Sequence, residues 1–262
     1  KPKFFVMENV KGMNKVSDQV KETFLSIGYS VSVQLLKAQD FGVPQNRERL
    51  IFIGNRIGVD NQRIFEAINR HKVAKQATLR QAIADLKPLT ASRLKNKTDI
   101  ITAENGGIVI SAETSNANPY IQRINPNQTA PLVVFNHQAR YNNDRDIEIF
   151  GRLNEGDDSS DPKIADIMPY KSRSHIFKDK YFKLIYDTKC KAITAHMKFD
   201  CNMYIHPTQA RGLTPREGAR VQSYPDDYVF QGSYTKTYMQ IGNSVPPILG
   251  RVIAKEIKPY LK

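Results

Sequence analysis

Residues 213–225 read Leu-Thr-Pro-Arg-Glu-Gly-Ala-Arg-Val-Gln-Ser-Tyr-Pro. This stretch contains the signals that begin a helix. Thr214 can serve as the N-cap, the proline after it suits the first helical position, and Glu217 can complete a capping box with Thr214. Arg216 and Arg220 then lie four residues apart and share one face of the helix. We therefore predict a short, firmly capped helix.

A second motif follows at residues 240–247, Gln-Ile-Gly-Asn-Ser-Val-Pro-Pro. Its Gly-Asn-Ser sequence is typical of a turn, and Pro247 can open a further helix. The positions after it place apolar side chains on one helical face: Ile248, Leu249, Val252, Ile253 and Ile257. We expect the chain to close on an amphipathic helix.

Composition narrows the class of protein. The chain has 262 residues, of which 40% are hydrophobic, enough for a core in one or two domains. A net charge of +13 favours a polyanionic partner, with nucleic acid ahead of a membrane surface. The sequence has no run of 18 apolar residues and no amino-terminal signal pattern. Two cysteines, Cys190 and Cys201, argue against a disulfide scaffold and fit a reducing compartment.

The first sixty residues alternate strand and helix patterns. Apolar or β-branched runs predict strands over residues 4–7, 29–36 and 50–54. Helical spacing predicts a helix over residues 15–27 that stops at Gly28. This order is typical of an α/β domain.

The middle of the chain is less regular. Periodicity predicts three helices there, over residues 62–71, 78–86 and 144–153, and three strands, over residues 108–110, 133–135 and 181–186. Residues 96–131 are rich in Asn, Thr and Ser and predict mostly loop.

Four motifs occur in a fixed order: Glu8-Asn9-Val10, Gln45-x-Arg47-x-Arg49, Arg216-x-x-x-Arg220-x-Gln222, and Gly242-Asn243-Ser244-Val245-Pro-Pro. Each is weak alone, but together they resemble the motifs of DNA (cytosine-5) methyltransferases. The resemblance runs from residue 4 to about residue 254. Tyr224 stands where that family usually has phenylalanine, which adds only a hydroxyl in need of a partner.

The resemblance implies the second half of a doubly wound, Rossmann-like α/β methyltransferase domain in residues 1–60. A mixed, loop-rich target recognition domain is expected over residues 61–235, and a return segment over 236–262 should pack on the catalytic domain. The implied reaction transfers methyl from S-adenosylmethionine to carbon 5 of a cytosine flipped out of double-stranded DNA. The usual setting is a bacterial restriction-modification system, which implies the cytoplasm.

Glu8 and Asn9 end the first predicted strand, where a Glu-Asn pair alone is more often structural. Cytosine becomes reactive at carbon 5 only after a thiolate adds to carbon 6, and that addition places charge on ring nitrogen 3. A carboxylic acid at nitrogen 3 stabilises this charge, and burial would favour its protonated form. By resemblance Glu8 has this role, and Asn9 helps fix the local geometry.

Gln45, Arg47 and Arg49 project to one face if the segment is extended. Alone, this charged cluster fits a solvated hairpin mouth equally well. By resemblance, these donors bind DNA. We expect Arg49 to contact the ring oxygen of the flipped base and Arg47 to contact the phosphate backbone.

The remaining candidates also follow from the resemblance. Asn243, Ser244 and Val245 are expected to line part of the S-adenosylmethionine pocket. Arg140 and Thr194 lie in segments where the family has sequence-reading loops, and both residue types can contact DNA.

Arg216, Arg220 and Gln222 could be a solvated helix face, but we favour a structural role that joins recognition and catalytic domains.

Neither cysteine fits the nucleophile. The family's thiol lies in a Pro-Cys-Gln loop, and neither Cys190 nor Cys201 has that context. Together with His196 and His206 they could suggest zinc, but the tight Cys-x-x-Cys pairs of structural zinc are missing, so we predict no metal.

The resemblance covers only the carboxyl-terminal half of the family, without the glycine-rich cofactor loop or the nucleophile loop. The chain, which begins with Lys1-Pro2, is therefore expected to be inactive alone. Three explanations are open: a fragment of a longer enzyme, a subunit that works with the missing amino-terminal half in a second chain, or a catalytically dead, sequence-specific DNA-binding module. An exposed sheet edge is expected where the missing half would pair.

Overall fold

The computed structural model of the chain describes residues 1–94, 108–110, 118–127, 132–169 and 180–261. The strands in these ranges are β1 (Phe4–Val10), β2 (Ser30–Lys37), β3 (Gln45–Asn46), β4 (Glu48–Asn55), β5 (Ile108–Ile110), β6 (Leu132–Val134) and β7 (Cys190–Lys191). The α-helices are α1 (Ser17–Leu25), α2 (Asn61–Asn69), α3 (Leu79–Ile83), α4 (Pro119–Ile124), α5 (Asp144–Arg152), α6 (Pro215–Val221), α7 (Tyr234–Asn243) and α8 (Pro247–Ile257).

A three-stranded sheet, in the order β1-β4-β2, forms the base of the molecule. β1 and β2 run in the same direction because α1 carries the chain back between them. Between β2 and β4 the chain reverses direction through a connection that contains no α-helix. β4 then lies between β1 and β2 and is antiparallel to both. Strands and helices are both present, as expected of an α/β domain, but both strand pairings of this sheet are antiparallel and not the parallel pairings of a doubly wound domain.

Both faces of the sheet are covered. On one face the Phe5 ring stacks on Phe24 with centroids 4.1 Å apart and meets Tyr29 edge-on. On the other face, Ile51 and Ile53 of β4 join the main core together with apolar side chains of α2 and α8. β4 consequently reads as a continuous apolar run, as a strand buried on both sides should.

The outer edge of β1 pairs with no other strand in the described ranges. Val6 and Val10 on this strand are 47% and 52% exposed. This edge is one of the two outer edges of this sheet, and the expectation that a missing half of the domain pairs at an exposed edge stays a prediction.

Several predicted elements are confirmed with shifts of a few residues at their ends. Gly28 ends the α1 region with a φ of 89°, the left-handed value that favours glycine. The helices predicted at residues 62–71, 78–86 and 144–153 form as α2, α3 and α5. β5 and β6 pair as an antiparallel ladder. Most of the predicted loop at 96–131 lies outside the described residues.

The predicted strand at residues 181–186 is wrong. This segment makes only single bridges, to Asp158 on one side and to Ile205 on the other. Its side chains have other partners: Lys183 Nζ donates to Phe150 O at 2.9 Å and to Leu153 O at 2.7 Å, at the carboxyl end of α5. A lysine there satisfies helix carbonyls that lack partners.

The predicted cap of α6 is confirmed. Thr214 Oγ1 accepts from Glu217 N, and the Glu217 carboxylate accepts from Thr214 N, so both halves of the capping box form. The predicted Gly-Asn-Ser turn is wrong, because α7 continues through Gly242 to Asn243. Pro247 opens the closing amphipathic helix α8, as expected.

Candidate active site

Glu8 and Arg49 meet at one end of the sheet. Glu8 lies opposite Ile51 in the β1–β4 register, so Arg49, two residues before Ile51, is its diagonal neighbour on the same face. Arg49 Nε is 2.5 Å from Glu8 Oε1, and the two side chains are 16% and 22% exposed. Glu8 is therefore less buried than the sequence led us to expect.

The contact between Glu8 and Arg49 is an ion pair without hydrogen-bond geometry. Glu8 Oε1 is inaccessible to solvent and has no hydrogen-bond donor. The pair places a carboxylate and a guanidinium group side by side at the end of β1.

A groove of about 440 Å³ begins at this pair. Its lining is mostly apolar and includes Phe4, Glu8, Ile51, Val245 and Ile253. The groove therefore lies between the open strand β1 and helix α8, and it brings the fourth motif to the first. Glu8 and Val245 line the same groove, and Arg49 is connected to it through its ion pair with Glu8.

The other members of these two motifs have different positions. Asn9 Oδ1 accepts from Val10 N at 2.9 Å, which fixes the end of β1. Asn243 is exposed at the end of α7, whereas Ser244 Oγ donates to Ile241 O at 2.8 Å. Of the three residues predicted for the cofactor, Val245 lines the groove and Asn243 has a free surface.

Arg47 is buried, at 1% exposed. Its guanidinium donates to three backbone carbonyls, Ile193 O at 2.6 Å, Ser244 O at 2.8 Å and Gly242 O at 3.0 Å. Burial and the neighbouring Arg49 lower the pKa of Arg47 to about 10, so it stays charged at neutral pH. The prediction that Arg47 contacts phosphate is not supported by this position, because the side chain joins two segments inside the protein.

Gln45 is also internal, with no exposed surface. Its Nε2 donates to Val221 O and to Gln222 Oε1, and its Oε1 accepts from Ile193 N. All of these partners are protein atoms, so the predicted DNA contact of Gln45 requires the same correction. The segment is not one extended strand either, because Gln45 belongs to the short parallel ladder with Cys190.

Arg216, Arg220 and Gln222 have no exposed surface and bond within the protein. Arg220 donates to Asp226 through Nε at 2.8 Å and through Nη2 at 2.9 Å, and to Asp85 at 2.5 Å. Gln222 donates to Ile241 O. The burial of the three side chains excludes a solvated helix face, whereas the role in joining two domains stays a prediction. The acidic partners have no fixed spacing in the sequence that could have identified them.

A second buried network was missed in the sequence. Arg211 forms two hydrogen bonds of 2.7 Å with Glu217. Burial alone would raise the pKa of Glu217, but Arg211 outweighs it and lowers that pKa to about 2. Nearby, burial lowers the pKa of His206 to about 4. Only the capping role of Glu217 was visible in the sequence.

Arg140 and Thr194 flank one surface turn, the 3₁₀ segment Ala195–Lys198. Arg140 donates to Met197 O at 3.0 Å and to Phe199 O at 3.0 Å. Thr194 Oγ1 lies 3.3 Å from the Tyr204 hydroxyl. Both residues are half-buried and support the turn.

Neither cysteine has the properties of a nucleophile. Burial raises the pKa of Cys190 to about 12 and also raises that of Cys201, and both thiols are buried. Within the described ranges no group of three or more His, Cys, Asp or Glu side chains could hold a metal ion. In the same part of the chain no helix is long and apolar enough to cross a membrane.

Comparison with known proteins gives a consistent assignment. The type II methyltransferase M.DdeI of Desulfomicrobium norvegicum is 32% identical over the whole chain, which covers 64% of that protein. M.Bpa9945I of Bacillus paralicheniformis is 31% identical, with 61% of its length covered. The chain thus spans less than two thirds of these relatives.

A solved structure has the same fold. A putative DNA modification methyltransferase encoded within an Escherichia coli prophage superimposes with a TM-score of 0.67 at 22% identity, covering 99% of this chain and 70% of that one. Residues 1–259 match the family described as C-5 cytosine-specific DNA methylase. The chain belongs to the C-5 cytosine-specific DNA methylase family.

Proposed function

We propose that the chain is part of a DNA cytosine-5 methyltransferase that acts on a cytosine flipped out of a specific duplex sequence. The observation that carries this proposal is the Glu8–Arg49 pair, 2.5 Å apart at the mouth of the groove that Val245 lines. One carboxyl group and one guanidinium group at the same point can hold both polar edges of a pyrimidine ring.

Glu8 and Arg49 would have complementary roles. The Glu8 carboxylate can accept from the exocyclic amine of cytosine. Ring nitrogen 3 of cytosine has no hydrogen of its own, so a proton taken up by Glu8 would be donated there as charge develops. Arg49 is a donor without acceptor capacity, so it suits the ring oxygen. Since Arg47 is internal, this proposal assigns base contact to Arg49 alone.

The family also implies S-adenosylmethionine, which supplies the methyl group when bound. The residues of this chain fit one side of such a site. Val245 and Phe4 offer an apolar wall, and Asn243 presents an exposed amide at the end of α7. Ser244 is already bonded within the helix end, so we propose no ligand contact for it.

The attacking thiolate must come from outside this chain, because Cys190 and Cys201 are buried with raised pKa values. We propose that an amino-terminal half, in the same or a second polypeptide, supplies the Pro-Cys loop and most of the cofactor site. The amino-terminal half would add a strand to the sheet at the open edge of β1, next to the groove. The names of the relatives fit methylation in a type II restriction-modification system.

We also propose the domain organisation that the sequence predicted. Residues 1–60 supply the catalytic sheet, residues 61–235 recognise DNA, and residues 236–262 return to the sheet. The packing of α8 against α2 and the sheet core supports the last part of this division.

Complementation tests the proposal. The chain is mixed with the amino-terminal segment of a type II relative that carries a Pro-Cys loop, and tritiated methyl transfer to unmethylated, mixed-sequence DNA is measured. We expect activity only in the mixture, and a loss of at least about 100-fold in Glu8→Gln. Glu48→Gln is the matched control, since the Glu48 carboxylate pairs with Lys11 on the surface.

Two results would reject the proposal. Methyl transfer that survives Glu8→Gln would remove the assigned acid. Tight, sequence-specific DNA binding without activity in any mixture would favour the alternative, a catalytically dead DNA-binding module.

A further inference from the structure

Phe199 is exposed at the end of the turn Ala195–Lys198. Its side chain is 63% exposed, and no phenylalanine or tyrosine in the described ranges is more exposed. Burial of a phenylalanine side chain is favourable, so an aromatic ring that stays in water is a candidate for contact with a partner.

The turn that carries Phe199 is held firmly. Arg140 donates to the carbonyl oxygens of Met197 and Phe199, each at 3.0 Å. The Met197 side chain is fully buried beneath the turn. Gly242 of α7 packs so closely that a Cβ there would lie 2.1 Å from Ala195 N. The ring is therefore presented on a rigid base.

The surroundings of the ring are cationic and aromatic. Lys198 Nζ lies 4.7 Å from the centroid of the Phe199 ring, and the His196 ring meets it edge-on with centroids 5.2 Å apart. An apolar protein surface would have to desolvate the ammonium group of Lys198. A nucleic acid matches both features, because its bases stack on aromatic rings while its phosphates attract cations.

The turn is also connected to the candidate active site. The Arg47 guanidinium donates to the carbonyl oxygen of Ile193, two residues before the turn, and to those of Gly242 and Ser244 at the end of α7. Val245, the next residue, lines the groove with Glu8. The segment that carries Phe199 is thus linked through Arg47 to the residues just before Val245, which lines the groove.

We infer that Phe199 stacks on a base of the bound DNA, with Lys198 at the adjoining phosphate. This inference rests on the proposed DNA substrate and adds the residue that makes the stacking contact. The firm base matters for this role, since a mobile ring would lose more entropy on stacking.

The chain contains no tryptophan, which allows a direct test. Phe199→Trp introduces a single indole that keeps an aromatic face. Its matched control is Leu25→Trp, because Leu25 is similarly exposed, at 66%, on α1. Each variant is titrated with a mixed-sequence duplex and with the same duplex containing one abasic site. The bases next to an abasic site lack a stacking neighbour, so an aromatic side chain can stack on them more easily.

We expect strong quenching of the indole at position 199 on DNA binding, greater with the abasic duplex, and none at position 25. Phe199→Ala should weaken binding by roughly tenfold without changing the salt dependence. Lys198→Gln should instead reduce the slope of log K against log salt by about 0.9, the effect of one lost phosphate contact.

The outcomes separate the two proposals. DNA binding with wild-type affinity in Phe199→Ala, and no quenching in Phe199→Trp, would overturn the stacking role and leave the proposed function intact. If neither duplex binds to the chain at all, the proposed DNA substrate fails and the stacking role fails with it. Unchanged circular dichroism spectra of the variants establish that the fold is retained.

Discussion

Replacing Arg47 distinguishes a structural arginine from one that contacts DNA. In Arg47→Met the side chain keeps much of its length and loses three hydrogen bonds to buried carbonyls, those of Ile193, Gly242 and Ser244. Leaving these carbonyls without a donor should cost about 3–5 kcal/mol, after partial relaxation of the site. For a chain of this size, such a loss corresponds to a melting temperature lower by about 6–20 °C.

Thermal unfolding followed by circular dichroism provides the assay, with Arg49→Met as the matched control. Arg49 is half-buried, with one ion pair to Glu8 and one hydrogen bond to Glu48 O, so its removal should cost less, about 1–2 kcal/mol. DNA binding is measured in parallel as a function of salt. An Arg47→Met protein that melts like wild type but binds DNA with a smaller salt slope would refute the structural assignment and restore the phosphate contact.

Three further predictions concern glycines, pH and thiols. Gly242→Ala should destabilise the chain, because its Cβ would lie 2.1 Å from a backbone nitrogen of the facing turn. Gly218→Ala, whose Cβ would have ordinary contacts at 3.8 Å, should be neutral or stabilise α6 by up to about 1 kcal/mol; urea unfolding compares the two. Burial lowers the pKa of His206 to about 4, so the unfolded chain binds this proton at higher pH than the folded chain. Stability should therefore be complete above about pH 6.5 and fall by about 3 kcal/mol toward pH 4, and a flat urea midpoint across that window would contradict this. Cys190 and Cys201 should resist thiol reagents in the native state and react in denaturant, since burial raises both pKa values; fast native labelling of either would show that its burial is wrong.

The sequence predicted local structure well where short-range chemistry determines it. The capping box of Thr214 and Glu217 depends on residues three apart, and both hydrogen bonds form. Gly28 stops a helix through its own backbone conformation, which is independent of the rest of the fold. The diagonal placement of Glu8 and Arg49 could not be predicted from local sequence, because it depends on the register of two strands far apart along the chain.

The failures all involve partners distant along the chain. Nothing near Arg47 or Gln45 indicates that Ile193 covers them from more than 140 residues away. Without that information, polar side chains beside a strand resemble a ligand-binding face. The Gly-Asn-Ser motif was predicted as a turn from its local propensity. Tertiary packing instead keeps Gly242 in a helix, because the backbone at Ala195 leaves room only for glycine.

The central claim is that Glu8 and Arg49 act on the same base. A double-mutant cycle tests it most directly, with Glu8→Gln, Arg49→Met and the double variant compared by kcat/KM of methyl transfer in the complemented enzyme. Since both side chains would contact one ring, we predict strongly non-additive losses, with a coupling energy of at least about 1 kcal/mol. Losses that add to within about 0.5 kcal/mol would show that the two residues act independently and would contradict the account.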